Sequence, residues 1–345
     1  MKMKIIAFAA LTLLFTACTK TDAPLKADDL QNLSSNELNS SAAKPKPAPG
    51  PINFTVPMLF PEGMVYNPFN NQFLVSSITM GTIGAVNHEG VYSTFIVDGA
   101  LNSTAGMEID KAHKRLLVTS STIQGNVAKL AIYDLNTKTR LFLIDLVAVA
   151  NDGAPHLAND VALDQQGNAY VTDSYAGIIY KVNPNGNASV FYKNPAFTPA
   201  PGAFGFNGIE YSNSSQGYLL VAHSALNQIV KIPINNPAAI TNVQLNPSIV
   251  SPDGLLLSKN SRELIVVNNT AGFNGSKVMS FETNDGWATG ASTASFNTGI
   301  VYPTTLTSDG QAEYVLYSYI QNLFGNVFTQ TFTIQPLPFN SNHPY

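Results

Sequence analysis

After residue 50 the apolar positions fall into short β-type runs divided by polar turns, and the pattern recurs. Six segments share one layout: "PEGMVYNPFNNQFLVSS" from Pro61, "TAGMEIDKAHKRLLVTSS" from Thr104, "ANDVALDQQGNAYVTDS" from Ala158, "FNGIEYSNSSQGYLLVAHS" from Phe206, "PDGLLLSKNSRELIVVNN" from Pro252 and "PTTLTSDGQAEYVLYSY" from Pro303. Each begins with a small or polar pair and continues into a short apolar strand. A polar turn follows, then a β-rich strand such as Leu-Leu-Val or Ile-Val-Val that stops in Ser, Thr or Asn. The second members of the opening pairs are Gly63, Gly106, Asp160, Gly208, Gly254 and Thr305, at intervals of 43, 54, 48, 46 and 51 residues. Four-stranded propeller blades recur at roughly 40–50 residues.

Further strand candidates lie between the segments: "GAVNHEGVYSTFIV" (84–97), "LAIYDLNTKTRLFLI" (130–144), "IIYKVNPNGNASVFY" (178–192) and "IVKIPI" (229–234). Three of these carry an Asn- or Asp-bearing turn between alternating apolar runs, which is a hairpin signal. Two hairpins per repeat give four strands, and six repeats predict an all-β fold: a six-bladed β-propeller of four-stranded blades over residues 51–345. An all-β sandwich, or two smaller β domains, would leave six in-register copies unexplained. To close the ring, "INFTV" (52–56) is expected to share a blade with "VFTQTFTI" (327–334).

The N-terminus departs from this pattern. "MKMK" precedes an apolar run of 11 residues, "IIAFAALTLLF". That length suits a secretory signal and falls short of the ~20 residues of a spanning helix. Residues 1–17 read as a signal peptide ending at Cys18, and the small residues before that cysteine resemble a bacterial lipobox. Cys18 is the chain's single cysteine, so no intrachain disulfide is available. The resemblance implies lipidation of Cys18. Residues 18–50, rich in Ser, Asn, Ala, Lys and Pro, read as a disordered linker that cannot bury enough apolar surface to fold. The expected location is the bacterial cell envelope, at the periplasmic or outer-membrane face. The membrane is met through the lipid alone, because after the signal no apolar run reaches spanning length; "LFLIDLVAVA" (141–150) is the longest candidate, and Asp145 interrupts it.

Charge narrows the functional classes. Charged residues make up only 12% of the chain, with 22 acidic against 18 basic, where a typical soluble domain has about 25%. There is no basic stripe, which excludes a nucleic-acid surface. A monomer is expected.

The opening pairs carry the candidate chemistry. In a propeller the first strand of each blade lines the central channel, so residues at its start converge on one mouth. The pairs are Glu62-Gly63, Ala105-Gly106, Asn159-Asp160, Asn207-Gly208, Asp253-Gly254 and Thr304-Thr305. Four of the six present Glu, Asn, Asn and Asp at the equivalent position, all oxygen donors. Two carboxylates and two amide carbonyls suit calcium, which takes 6–8 oxygens in flexible geometry. Zinc favours nitrogen and sulfur, and magnesium keeps more of its water, although another divalent cation would meet the same donors. Without a cation, two close carboxylates would repel until one took up a proton. The alternative is that these residues cap strands and bind channel water, as Asn and Asp do at turns.

The order "PEG", "AND", "NGI", "PDGL" along a six-repeat chain resembles the senescence-marker-protein/gluconolactonase family, related to regucalcin, paraoxonases and diisopropyl fluorophosphatase. The resemblance covers about residues 55–320. It implies a catalytic calcium held by Glu62, Asn159, Asn207 and Asp253, and hydrolysis of lactones or phosphotriesters. Asp253 would then be both metal ligand and either general base or nucleophile. His156, on the Asn159 loop, is a second catalytic candidate for proton transfer or substrate contact, and His223 at a strand end is a third. Asp160 is expected to brace the Asn159 loop through backbone amides, and Asp173 to anchor a loop. Phe204, Phe206, Tyr175 and Phe273 are expected to wall an apolar pocket, or else to be core.

Two functions remain open: a calcium-dependent hydrolase of small-molecule lactones or esters, and a non-catalytic propeller that binds a ligand or partner around a structural calcium.

Overall fold

The second strand of each repeat is apolar at consecutive positions, which a strand tolerates only if both of its faces are buried. The computed structural model shows how this is met. It describes residues 49–339 except 215 and 271–274; the signal segment, Cys18, most of the linker and Phe273 lie outside the described residues. The described residues form six sheets. Their first strands are Met64–Asn67, Ser103–Asp110, Ala158–Leu163, Phe206–Ser212, Pro252–Leu257 and Pro303–Ser308. Each lies beside the first strand of the next sheet, and Pro303–Ser308 lies beside Met64–Asn67. The arrangement is all-β and propeller-like.

The core is correspondingly divided into six layers, one between each pair of neighbouring sheets. Leu116 and Val118 pack toward the first sheet, beside Leu74 and Ile83. Leu117, between them in sequence, packs toward the third sheet with Val161 and Val171. The same division recurs at Leu219 and Val221 against Leu220 and Ala222, and at Leu264 and Val266 against Ile265 and Val267. The last layer joins Tyr314, Leu316 and Phe332 to Met64, Phe73 and Val75. Burying both faces is what makes these strands read as unbroken apolar runs.

The sixth sheet takes strands from both ends of the chain. Ile52–Thr55 pairs antiparallel with Thr331–Pro336, in the register Ile52↔Ile334 to Thr55↔Thr331. Phe54 and Phe332 meet with ring centroids 5.9 Å apart. The four-strand plan is broken once. The fourth sheet ends in a two-residue strand, Thr241–Asn242, and the chain then runs parallel to Thr289–Asn297 as a fifth strand of the next sheet, Gln244–Asn246. Pro247 follows at once and has no N–H with which to extend the ladder. The apolar stretch 141–150 is also split. Arg140–Asp145 is a strand, and Asp145 caps a short helix, Leu146–Ala150, by accepting from the Ala148 amide at 3.2 Å. No helix among the described residues is long and apolar enough to cross a membrane.

The opening pairs occupy a constrained place. In five of the six sheets the register between the first two strands breaks across the pair, as between Ala158 and Val161, Phe206 and Ile209, and Pro252 and Leu255. A bulge leaves its extra residues unpaired and re-aims them, so Asn and Asp there do not oppose the strand. Neighbouring pairs touch through backbone. A Cβ on Gly208 would stand 2.3 Å from the Asp253 carbonyl oxygen, and one on Gly63 would stand 2.0 Å from that of Ala105. Only glycine lets adjacent inner strands approach this closely.

Replacing Gly208 by Ala is expected to displace the Asp253 backbone and destabilise the fold by about 1–3 kcal/mol, read from the denaturant midpoint. Phe54→Ala should cost about 3–5 kcal/mol, because Phe54 is buried in the layer that closes the ring; an unchanged midpoint would show that the closing strand is dispensable.

Candidate functional site

Glu62, Asn159, Asn207 and Asp253, from four different sheets, line one cavity of about 850 Å³. Each is positioned through the backbone of its opening pair, or for Asp253 of the residue just before it, by a hydroxyl from the end of a second strand. Ser76 Oγ accepts from the Glu62 and Gly63 amides at 3.2 and 2.7 Å. Thr119 Oγ1 donates to the Asn159 carbonyl and Thr172 Oγ1 to the Asn207 carbonyl, each at 2.7 Å. Ser224 Oγ donates to the Pro252 carbonyl at 2.7 Å and accepts from Asn207 Nδ2 at 3.1 Å. With the backbone carbonyls taken up in this way, the side chains are left to face the cavity.

The electrostatics follow from burial. Asp253 is pushed up to about 7, first by desolvation, while hydrogen bonds from Asn269 and Asn207 oppose the rise. Asn269 Nδ2 donates to Asp253 Oδ2 at 2.8 Å. Glu62 is driven well above the usual carboxylate range by burial, then by the charges of Asp253 and Asp160. Among the described residues no ion pair involves Glu62 or Asp253. Tyr302, also lining the cavity, has its phenol pushed up by burial and then by Asp253 and Glu62, so it stays neutral beside them. Its φ of 51° lies in the left-handed region, which is uncommon for a bulky residue.

These residues fit a hard divalent cation. The donors are all oxygen, two are carboxyl groups that burial and nearby carboxylate charge hold toward the protonated state, and among the described residues no cationic side chain lines the cavity. A cation there would supply the missing positive charge.

The other candidates are placed elsewhere. His156 is fully buried and does not line the cavity. Its Nδ1 meets Asp173 Oδ2 at 2.7 Å and its Nε2 meets Asp152 Oδ1 at 2.9 Å. Burial opposes its charge, but Asp173 and Asp152 outweigh that and raise its pKa. Both ring nitrogens are occupied, and the ring ties the loop before Asn159 to Asp173 and Asp152. His223 is buried too, with Nε2 donating to the Phe197 carbonyl at 2.9 Å and Nδ1 accepting from the Leu226 amide at 3.2 Å.

Asp173 Oδ1 accepts from the amides of Leu157, Tyr175 and Ala176. Asp160 is held by backbone amides: Oδ1 accepts from the Val161 amide at 2.9 Å and Oδ2 from the Ile209 amide at 3.2 Å. It lines a second, smaller cavity with Glu108, Glu210 and Lys111. Phe206 is core, packed with Tyr170 and Leu219, whereas Phe204 lines the site and stacks on Tyr175 at 6.0 Å.

Sequence reasoning passed over Asn269, Tyr302 and the hydroxyls of Thr119, Thr172 and Ser224. The last three carried a signal, since each second strand stops in Ser, Thr or Asn: Thr119 and Thr172 share one repeat position, and Ser224 stands two residues beyond it. Tyr302 carried none, because it stands outside the repeated segment.

The sequence matches no protein-family profile and no curated relative. Solved structures do match. The major allergen Mala s 1 of Malassezia sympodialis superimposes with a TM-score of 0.68 at 16% identity, covering 86% of this chain and 99% of its own. A luciferin-regenerating enzyme gives 0.58 at 12%, covering 86% and 98%. A gluconolactonase of Xanthomonas campestris gives 0.56 at 12%, covering 83% and 89%. At such identities the likeness is one of architecture, and on that ground the chain has a gluconolactonase-like fold.

Proposed function

We propose that this chain is a calcium-dependent hydrolase of lactones or esters, built on a six-bladed propeller with the metal at the channel mouth. The observation that carries this is the convergence of Glu62, Asn159, Asn207 and Asp253 on one cavity, with two carboxyl groups that burial and like charge push up. Those four residues would hold the ion. Bound there, calcium would polarise a substrate carbonyl or phosphoryl oxygen and acidify a water.

The chain's own residues supply the rest. Asp253, oriented by Asn269, is the group that takes a proton from water or attacks the carbonyl. Glu62 contributes charge, and the two asparagines contribute neutral oxygens, so the two carboxylates would balance a divalent ion without over-neutralising it. Tyr302 offers a neutral hydroxyl beside the same two carboxyls. The N-terminal pattern supports a lipid anchor at Cys18. A second reading, a non-catalytic binding propeller with structural calcium, draws on one observation: among the described residues, no histidine lines the cavity to pair with its hydroxyls.

Titration calorimetry on residues 45–345 should show calcium binding that is lost in Asp253→Ala. Hydrolysis of lactones or aryl esters should fall by about 10²–10⁴-fold in Asp253→Asn; activity that survives this change or chelation would exclude the metal mechanism.

Because the folded protein holds a proton on Asp253 to about pH 7, against about 3.9 when unfolded, metal-free stability should fall as pH rises through that window. Calcium displaces the proton, so its affinity should rise over the same window, and the melting temperature with calcium should diverge upward from that with chelator. Asn269→Leu removes a bond that lowers the Asp253 pKa, and should move this divergence to higher pH.

A further inference from the structure

The cavity is two-sided. Its floor is the oxygen quartet, and its rim is apolar. Met80 is 46% exposed, Ile123 57% and Phe324 63%, yet all three border this one cavity, joined by Phe204 and Leu323. Single exposed apolar side chains are ordinary, whereas a contiguous group marks a binding surface. These come from independent places in the fold. Met80 and Ile123 stand on the loops between second and third strands of the first two sheets, Phe204 on the segment between the third and fourth sheets, and Leu323 and Phe324 on the helix Ile320–Phe324 of the sixth.

The rim is also fixed in place. Tyr175 Oη donates to the Ile123 carbonyl at 2.9 Å while its ring stacks on Phe204. The His156 amide donates to the Gly125 carbonyl on the Ile123 loop at 2.9 Å. Apart from Glu62 and Asp253, no charged side chain lines the cavity among the described residues, so nothing there would pair an anionic ligand at the rim; the polar lining, Thr79, Asn102, Thr122 and Gln124 among it, is uncharged. The volume suits a ligand of small-molecule size.

We infer that the site takes an uncharged substrate with a hydrocarbon or aryl arm: the ester or lactone carbonyl at the quartet, the arm against Met80, Ile123, Leu323 and Phe324. Its kinetic test rests on the hydrolase reading above; its binding test does not. With calcium, kcat/KM for γ-lactones should rise by about fourfold per methylene from methyl to hexyl side chains, and exceed that for glucono-δ-lactone. Ile123→Ser and Phe324→Ser, both at exposed positions, should flatten that slope. Independently, Nile red should gain fluorescence on the protein and be displaced by alkyl lactones in order of chain length, and both variants should weaken that binding. Displacement without hydrolysis of any ester would remove the hydrolase reading and leave the apolar arm standing. Calcium-dependent hydrolysis with a flat chain-length slope and no Nile red displacement would overturn the apolar arm and leave the hydrolase. Adsorption to phosphatidylcholine vesicles without displacement by lactones would also overturn it, making the rim a membrane contact.

Discussion

The structure depends on how closely its inner strands approach one another. Where a glycine of one opening pair meets the carbonyl of the next, there is no room for a methyl group, and a hydroxyl from an adjoining second strand takes up the carbonyls of Asn159, Asn207 and Pro252. One set of contacts therefore draws the sheets around the channel and turns the neighbouring side chains into it. Stability and the site share the same atoms. A hydrogen bond of this type contributes only about 1 kcal/mol, but its loss would strand a buried carbonyl and loosen a cavity side chain together.

Tight packing also explains why the floor is electrostatically costly. Two carboxyl groups with no cationic side chain lining their cavity among the described residues are unfavourable in their charged form, and burial is the largest cause that raises both. Perturbed groups of this kind, facing a cavity, mark a candidate functional site. The surroundings of His156 show the contrast: its carboxylate neighbours Asp152 and Asp173 share a buried imidazole, and Asp152 also pairs with Lys193, so charge there is compensated and serves to hold a loop.

Much of this was legible in the sequence because repetition reports equivalence. Asn159 read alone is a polar residue in front of a strand; read with Glu62, Asn207 and Asp253, it marks a place in the fold. The closing pairing of the two chain ends was legible for a related reason, since one repeat lacked an outer strand and the N-terminus had one to spare. What was hidden lies outside the repeated units or depends on direction. The bulges could not be seen, because composition does not show which residues of a strand go unpaired. His156 has the same identity whether it faces a substrate or two buried aspartates. Phe206 and Phe204 are two residues apart, one in the core and one at the site, and which is which is decided by where the strand begins.

The joint sheet of the chain termini has a temporal side as well. Asn53 meets Thr333 across a separation of 280 residues, and such distant pairings are slow to form. A chain made from its N-terminus must carry Ile52–Thr55 as an unpaired edge through the making of five other sheets, and such edges invite association with other chains. The ring stays open at this seam until Thr331–Pro336 arrives. Until then the Phe54 side of its layer has no Phe332 to close against.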